Sequence, residues 1–68
     1  MVMTPVSSSD LASVGYENEV LYVCFHSGGT YTYSGVPLSV YQGLMSASSH
    51  GSYFNAHIKN QYPFKKIS

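Results

Sequence analysis

A cluster of hydroxyl side chains at the start of a predicted helix is the part of this sequence best suited to hold an anion. Residues 48–52 read Ser-Ser-His-Gly-Ser, and the first turn of a helix presents unpaired N–H groups and a partial positive charge. A lysine at position 59 follows about two helical turns later. The pattern predicts either serines that only cap the helix or a phosphate site made by Ser48, Ser49, Ser52, Lys59, Lys65 and Lys66.

Aromatic side chains are the second group with recognisable chemistry. The chain has seven tyrosines, three phenylalanines and no tryptophan among its 68 residues. Bases of nucleic acids stack on exposed aromatic rings with about 1–3 kcal/mol each, but a domain this small must also build its core from these rings. We expect the rings available to a base to be Tyr22, Tyr53 and Tyr62, joined by His26 beside a turn.

The sequence holds no recognisable catalytic motif. A nucleophile needs a neighbouring base and a group that orients that base, and the carboxylate side chains are only Asp10, Glu17 and Glu19. There is no Gly-x-Ser-x-Gly elbow and no phosphate loop. The single cysteine and the widely spaced histidines do not match a zinc pattern. We therefore predict a protein that is not an enzyme, with no catalytic residue, no metal and no cofactor.

The pairing of one hairpin decides which tyrosines are buried. Residues 20–26 are rich in β-branched and aromatic side chains and predict a strand. If the loop that follows holds only two glycines, the apolar side chains are split between both faces of the sheet. A three-residue loop at 27–29 pairs Phe25 with Tyr31 and gathers the apolar side chains on one face. We choose this second register, which predicts that Tyr31 and Tyr33 belong to the core.

The remaining segments predict an α+β fold. Alternation over 11–16 indicates a first strand, and 17–19 is a polar break that suits a tight turn. After Pro37, apolar residues at helical spacing predict a helix of about ten residues, and a second helix ends before Pro63. Residues 64–67 are extended and lie along a sheet edge. The predicted architecture is a three-stranded antiparallel meander covered by two short C-terminal helices.

Length and charge limit the domain count and the partners. The 68 residues predict one domain, 1–68, in which 1–5 is a flexible arm. Three lysines balance three acidic residues, so the strongly basic face of many nucleic-acid-binding proteins is not expected. The N-terminal segment lacks the basic region and the long apolar run of a signal peptide or membrane anchor. We predict a cytoplasmic protein without membrane contact.

Several short segments of the sequence form a recognisable combination. They are PVSSS at 5–9, ASVGY at 12–16, FHSGGTYTY at 25–33, VP at 36–37, GSYFN at 51–55, IK at 58–59 and YPF at 62–64. Together these segments resemble the KTSC domain, a family that is named after the C-terminal extension of certain lysyl-tRNA synthetases and also occurs as single-domain proteins in bacteria and phages. The resemblance implies a freestanding domain, with RNA binding suggested by the attachment to a synthetase.

Together these observations lead to a functional hypothesis with one alternative. The hypothesis is a small binding module for RNA or a phosphate-containing nucleotide; a variant is a phage protein that sequesters a nucleotide signal. The alternative is a protein-interaction or homodimerisation module without a nucleic-acid role, because the exposed edge of a three-stranded sheet can accept another strand.

Overall fold

The computed structural model describes residues 2–68 and contains one antiparallel sheet and two helices. Its five strands lie in chain order, β1-β2-β3-β4-β5. This confirms the α+β class, while the sheet has five strands instead of three. The elements are β1 (Thr4–Pro5), β2 (Leu11–Glu17), β3 (Val20–Phe25), β4 (Thr30–Ser34), α1 (Leu38–Ser46), α2 (His50–His57) and β5 (Phe64–Lys66).

The two additional strands are short and lie at opposite edges of the sheet. At one edge β5 pairs with β4 through the segment that was predicted to be extended. At the other edge β1, from the predicted arm, pairs with β2, where Thr4 faces Val14. Pro5 has no N–H to donate, which suits an edge position. Met1, the remaining end of the predicted arm, lies outside the described residues. Strands of two or three residues are too short to show the alternation of apolar and polar residues by which a strand is predicted from sequence.

The predicted pairing of the central hairpin is wrong by two residues. Tyr31 lies opposite Val23 instead of Phe25, and Tyr33 lies opposite Leu21. Side chains alternate between the faces with a period of two, so a shift of two residues leaves every side chain on its predicted face. Tyr33 is 5% exposed, which confirms it as a core residue, and Tyr31 is half-buried on the same face.

The loop of this hairpin has the predicted length but begins one residue earlier. Phe25 N–H donates to the carbonyl of Gly29 (3.1 Å), and Gly28 N–H donates back to the carbonyl of Phe25 (3.0 Å). The loop residues are therefore 26–28. Both glycines have positive φ, 107° and 92°, a conformation that glycine adopts without steric cost. His26 consequently lies in the loop and not at the end of β3.

A β-bulge in β2 adds one residue to the core. Leu11 pairs with Phe25 and Ser13 with Cys24, so the register shifts between Leu11 and Ser13. Without the bulge, Leu11 and Val14 would point to opposite faces, because they are an odd number of residues apart. Both are fully buried, and half-buried Ala12 occupies the irregular position.

The core lies between one face of the sheet and the two helices. Helix α1 is held by Tyr16, whose hydroxyl donates to the carbonyl of Val36 (2.6 Å) and whose ring stacks on Tyr41 at a centroid distance of 4.7 Å. None of the helices within residues 2–68 is long and apolar enough to span a bilayer. The buried residues are Leu11, Val14, Leu21, Val23, Tyr33, Val36, Leu44, Phe54 and Ile58.

The turn between β2 and β3 holds one residue in an unfavourable conformation. Asn18 and Glu19 have φ of 53° and 63°, as in two-residue hairpin loops that prefer glycine at the second position. A left-handed conformation costs an L-residue about 1–2 kcal/mol. Glu19→Gly is therefore expected to raise the free energy of unfolding by about 0.5–1 kcal/mol, measured by urea denaturation. Glu19→Ala, which keeps the Cβ atom, is the control; an equal gain in Glu19→Ala would contradict the backbone explanation.

Candidate functional site

An open cavity of about 500 Å³ lies where the tip of the β3–β4 hairpin meets α2 and β5. We call it the aromatic cleft. Its apolar wall consists of five rings, from Phe25, Tyr31, Tyr33, Phe54 and Phe64. Its polar rim consists of Ser9, Asp10, Ser27, Asn55, Lys59 and Asn60.

The rings of the cleft pack mostly edge to face. Phe54 is the central ring, and its centroid lies 5.5 Å from that of Phe25 and 5.3 Å from that of Tyr33, with interplanar angles of 72° and 81°. Phe64 lies farther out, 6.1 Å from Tyr31 and 6.0 Å from Tyr33. Because Phe64 is 60% exposed, its ring is the part of the wall most open to a ligand.

The rim carries opposite charges at its two ends. Gly51 and Asn55 are spaced four residues apart on one side of α2, and Lys59 lies in the turn that follows the end of this helix at His57. The Asp10 carboxylate lies over the first turn of this helix, with Oδ2 3.2 Å from the position that a Cβ atom on Gly51 would occupy. Within residues 2–68, the side chains of Asp10, Asn55 and Lys59 make no hydrogen bond. These polar groups are therefore available to a ligand.

A second, smaller cavity of about 250 Å³ lies beside the start of α2. Ser49 precedes the helix; its Oγ accepts the N–H of Ser52 (3.3 Å) and donates to Ser52 Oγ (3.0 Å). This confirms that Ser49 caps the helix. Asp10 also lines this cavity, and a carboxylate at a helix N-terminus already interacts favourably with the helix dipole. An added phosphate would meet that negative charge.

Comparison with known proteins places this fold and sequence in a family. The family profile for the KTSC domain matches residues 7–62, which is most of the chain. The chain belongs to the KTSC domain family. A crystal structure of a KTSC domain protein from Yersinia pestis superposes with a TM-score of 0.96 and 42% identity, covering 98% of this chain and 97% of that one.

Two further relatives match this KTSC domain, one along most of its own length and the other along a small part of it. A protein of Stutzerimonas stutzeri is 42% identical over 64 residues, which is 91% of this chain and 90% of its own length. A lysine–tRNA ligase of Nostoc punctiforme is 38% identical over 52 residues, which is 76% of this chain but 9% of the ligase. The resemblance stated from the sequence motifs is thereby confirmed.

The predicted phosphate-site residues do not meet in one place in this KTSC domain. Ser48, Ser49 and Ser52 line the smaller cavity, while Lys59 lies on the rim of the aromatic cleft. The last two lysines lie on opposite faces of the sheet, because Lys65 pairs with Thr32 and Lys66 with Tyr31. The Lys66 side chain extends along the hairpin at Gly29.

The predicted stacking residues also lie outside the aromatic cleft. Tyr22 pairs with Thr32 in the sheet and faces away from the helices. Tyr53 packs against Gly43 of α1 and lies 4.4 Å from the His57 ring. Tyr62 is half-buried against the core, and His26 is exposed in the hairpin loop.

Sequence reasoning missed most of the residues that form the cleft. The rings of Phe25, Tyr31 and Phe64 and the polar side chains of Asp10 and Asn55 were not assigned to a site. One signal was present: the spacing of Gly51 and Asn55 by four residues places both on one side of α2, and both line the cleft. Residues 2–68 bring together no group of three or more His, Cys, Asp or Glu side chains that could hold a metal ion.

Two tyrosines in the packed region resist ionisation. Burial, followed by the effect of neighbouring Tyr31, raises the pKa of Tyr33 above its usual 10.0. Burial, followed by the negative charge of Glu19, raises the pKa of Tyr16. In both cases the folded state favours the neutral phenol more than the unfolded chain does.

These raised pKa values predict a loss of stability in alkali. A group whose pKa is raised in the folded state contributes fully to the free energy of unfolding below its unfolded pKa, which is about 10 for tyrosine. This stabilising contribution is lost as the pH rises through the folded pKa. We expect the free energy of unfolding from urea titrations to fall between pH 9 and pH 11, about one unit either side of that value. The double substitution Tyr16→Phe and Tyr33→Phe should flatten this fall. An equally steep fall in the double variant would contradict the assignment.

Proposed function

We propose that this KTSC domain is a non-enzymatic binding module that holds one unpaired nucleotide in the aromatic cleft, either within an RNA or as a free phosphate-containing ligand. The observation that carries the proposal is a cleft of about 500 Å³ with an aromatic wall and a polar rim. Such a volume lies within the range of small-ligand sites, about 300–1,000 Å³. A cytoplasmic location is part of this proposal.

The composition of the cleft suits a nucleotide in particular. The exposed ring of Phe64 offers a surface on which a base can stack. Lys59, at one end of the rim, offers a cation to a phosphate. The similarity to a segment of lysine–tRNA ligases supports RNA as the source of the nucleotide.

The charge distribution limits the number of phosphates that are bound. The chain has three lysines and no arginine, and of these Lys59 lies on the cleft rim. We therefore propose that one phosphate is neutralised. For a single strand this corresponds to a slope of about −0.7 in a plot of log affinity against log salt concentration. A measured slope several times steeper would contradict a one-phosphate site.

Two lysine substitutions with the same charge change test this proposal. Lys59→Gln is expected to weaken the binding of a short single-stranded RNA or a nucleoside monophosphate about tenfold, because a charged hydrogen bond is lost. Lys65→Gln is the matched control, since Lys65 pairs with Thr32 on the other face of the sheet. Its affinity should stay within about twofold of the unmodified chain. Calorimetric titration measures both, and equal losses in the two variants would contradict a site in the cleft.

One observation favours the alternative of a protein-interaction or homodimerisation module. Phe64 and Ile67, in and next to the edge strand β5, are 60% and 50% exposed. An exposed edge strand with apolar side chains can pair with a second chain. Sedimentation at several concentrations decides between the two functions: a concentration-dependent dimer that does not bind any nucleotide would support the alternative.

A further inference from the structure

We propose that the aromatic cleft prefers guanine among the bases, with the Asp10 carboxylate accepting hydrogen bonds from the Watson–Crick edge of that base. The inference rests on the proposed function and adds the identity of the base. Its evidence is the arrangement of acceptor and donor groups along α2.

The rim has an acceptor end and a donor end at a separation that suits one nucleotide. Asp10 lies over Gly51 in the first turn of α2, and Lys59 lies two residues beyond His57, the last residue of that helix. At a rise of about 1.5 Å per residue, the helix from Gly51 to His57 separates these two ends by about 9 Å. The carboxylate repels a phosphate, whereas Lys59 attracts one. A bound nucleotide is therefore oriented with its phosphate at Lys59 and the edge of its base at Asp10.

The hydrogen-bonding pattern of guanine matches the Asp10 end of the cleft. An ionised carboxylate only accepts hydrogen bonds, and its two oxygens can accept two parallel ones. Guanine presents two such donors side by side, the 2-amino group and the ring N1–H, and the carbonyl O6 follows next to N1–H. Asn55, one turn of α2 beyond Gly51, carries an amide that can donate to O6.

The other bases place an acceptor against the carboxylate. Adenine and cytosine each present an amino group beside a ring nitrogen acceptor, and uracil presents one N–H between two carbonyl oxygens. An acceptor facing a carboxylate oxygen is repelled and loses its hydrogen bond to water. Asp10 therefore selects by attracting guanine and by excluding the three other bases.

Titration of the full chain with three purine nucleotides, followed by amide NMR shifts, tests the inference. We expect GMP to bind about tenfold more tightly than IMP, which lacks the 2-amino group, and AMP to bind more weakly than GMP by at least the same factor. Asp10→Asn should reduce the GMP-to-IMP ratio to about threefold or less. Lys59→Gln should weaken all three nucleotides alike and leave the ratio unchanged.

The outcomes separate this inference from the proposed function. If neither the three nucleotides nor the RNA tetramer bind, both are wrong. If nucleotides bind in the cleft with equal affinity, or if Asp10→Asn keeps the full preference, only the guanine preference is wrong. The Asp10 carboxylate is exposed and makes no hydrogen bond within residues 2–68, so Asp10→Asn should keep the amide spectrum of the folded chain. A guanine-containing RNA tetramer and GMP, titrated in parallel, distinguish an RNA ligand from a free nucleotide.

Discussion

Phe54→Ala is expected to lower the free energy of unfolding by about 3–5 kcal/mol. Phe54 is 4% exposed and packs edge to face against Phe25 and Tyr33, so its removal leaves a cavity where α2 meets the sheet. A chain of 68 residues has a total stability of only about 3–10 kcal/mol. Urea denaturation followed by circular dichroism should therefore show a variant that is close to unfolded, or already unfolded, without denaturant.

Two further substitutions keep this prediction measurable. Phe54→Leu retains apolar volume but loses the ring contacts, and it should stay folded with a smaller loss of about 1–2 kcal/mol. Asn55→Ala, at the neighbouring exposed position of α2, is the control and should change stability by less than about 0.5 kcal/mol. A loss below about 1 kcal/mol in Phe54→Ala would show that this ring does not hold α2 to the sheet.

Gly43→Ala is expected to destabilise the protein, although alanine favours a helix. In α1, a Cβ atom on Gly43 would lie 2.7 Å from Cζ and 3.1 Å from Cε2 of Tyr53, and the hydroxyl would also contact it. The helix gain of about 1 kcal/mol is opposed by overpacking of about 1–3 kcal/mol. We expect a net loss of up to about 2 kcal/mol in the free energy of unfolding, measured in urea.

The effect of Gly43→Ala should reverse when the clashing ring is removed. In a Tyr53→Ala background the helix gain remains and the overpacking is gone, so Gly43→Ala is expected to stabilise by about 1 kcal/mol. The four chains form a double-mutant cycle that isolates the contact between the two residues. A stabilising Gly43→Ala in both backgrounds would show that Tyr53 moves aside at no cost.

The longer elements of the fold follow from local patterns in the sequence. β3 was predicted over 20–26 and spans Val20–Phe25, and α1 lies where the apolar spacing places it. The second helix was predicted to continue to Pro63 but ends at His57, and residues 58–61 form a turn instead. The bulge at Leu11 and Ser13 and the pairing of Tyr31 with Val23 depend on the partner strand. Local patterns therefore could not predict them. The hairpin side chains were assigned to the correct faces of the sheet, because burial of apolar side chains determines the face. Burial does not determine which residue pairs with which across the two strands.

The candidate site was much less predictable, because it is made by distant parts of the chain. Asp10, Tyr31, Lys59 and Phe64 meet in the cleft only after the helices fold back and β5 pairs with β4. The residues that were predicted as a phosphate site lie close in sequence or share a charge, but alternation separates Lys65 from Lys66. Tyr53 carries a ring on which a base could stack, but this ring packs against α1, because Gly43 has no side chain and leaves room for it.

The edge position of β5 links the occupancy of the cleft to strand fraying. Beyond β5, Ile67 N–H donates to the carbonyl of Thr30 (2.8 Å) and Thr30 N–H to the carbonyl of Ser68 (3.1 Å). Short edge strands open at a lower free energy than the core, and each opening withdraws Phe64 from the cleft. A ligand that contacts Phe64 binds only while β5 is paired with β4. Binding therefore shifts the opening equilibrium of β5 toward the paired state. Slower hydrogen–deuterium exchange of these amides would then report an occupied cleft.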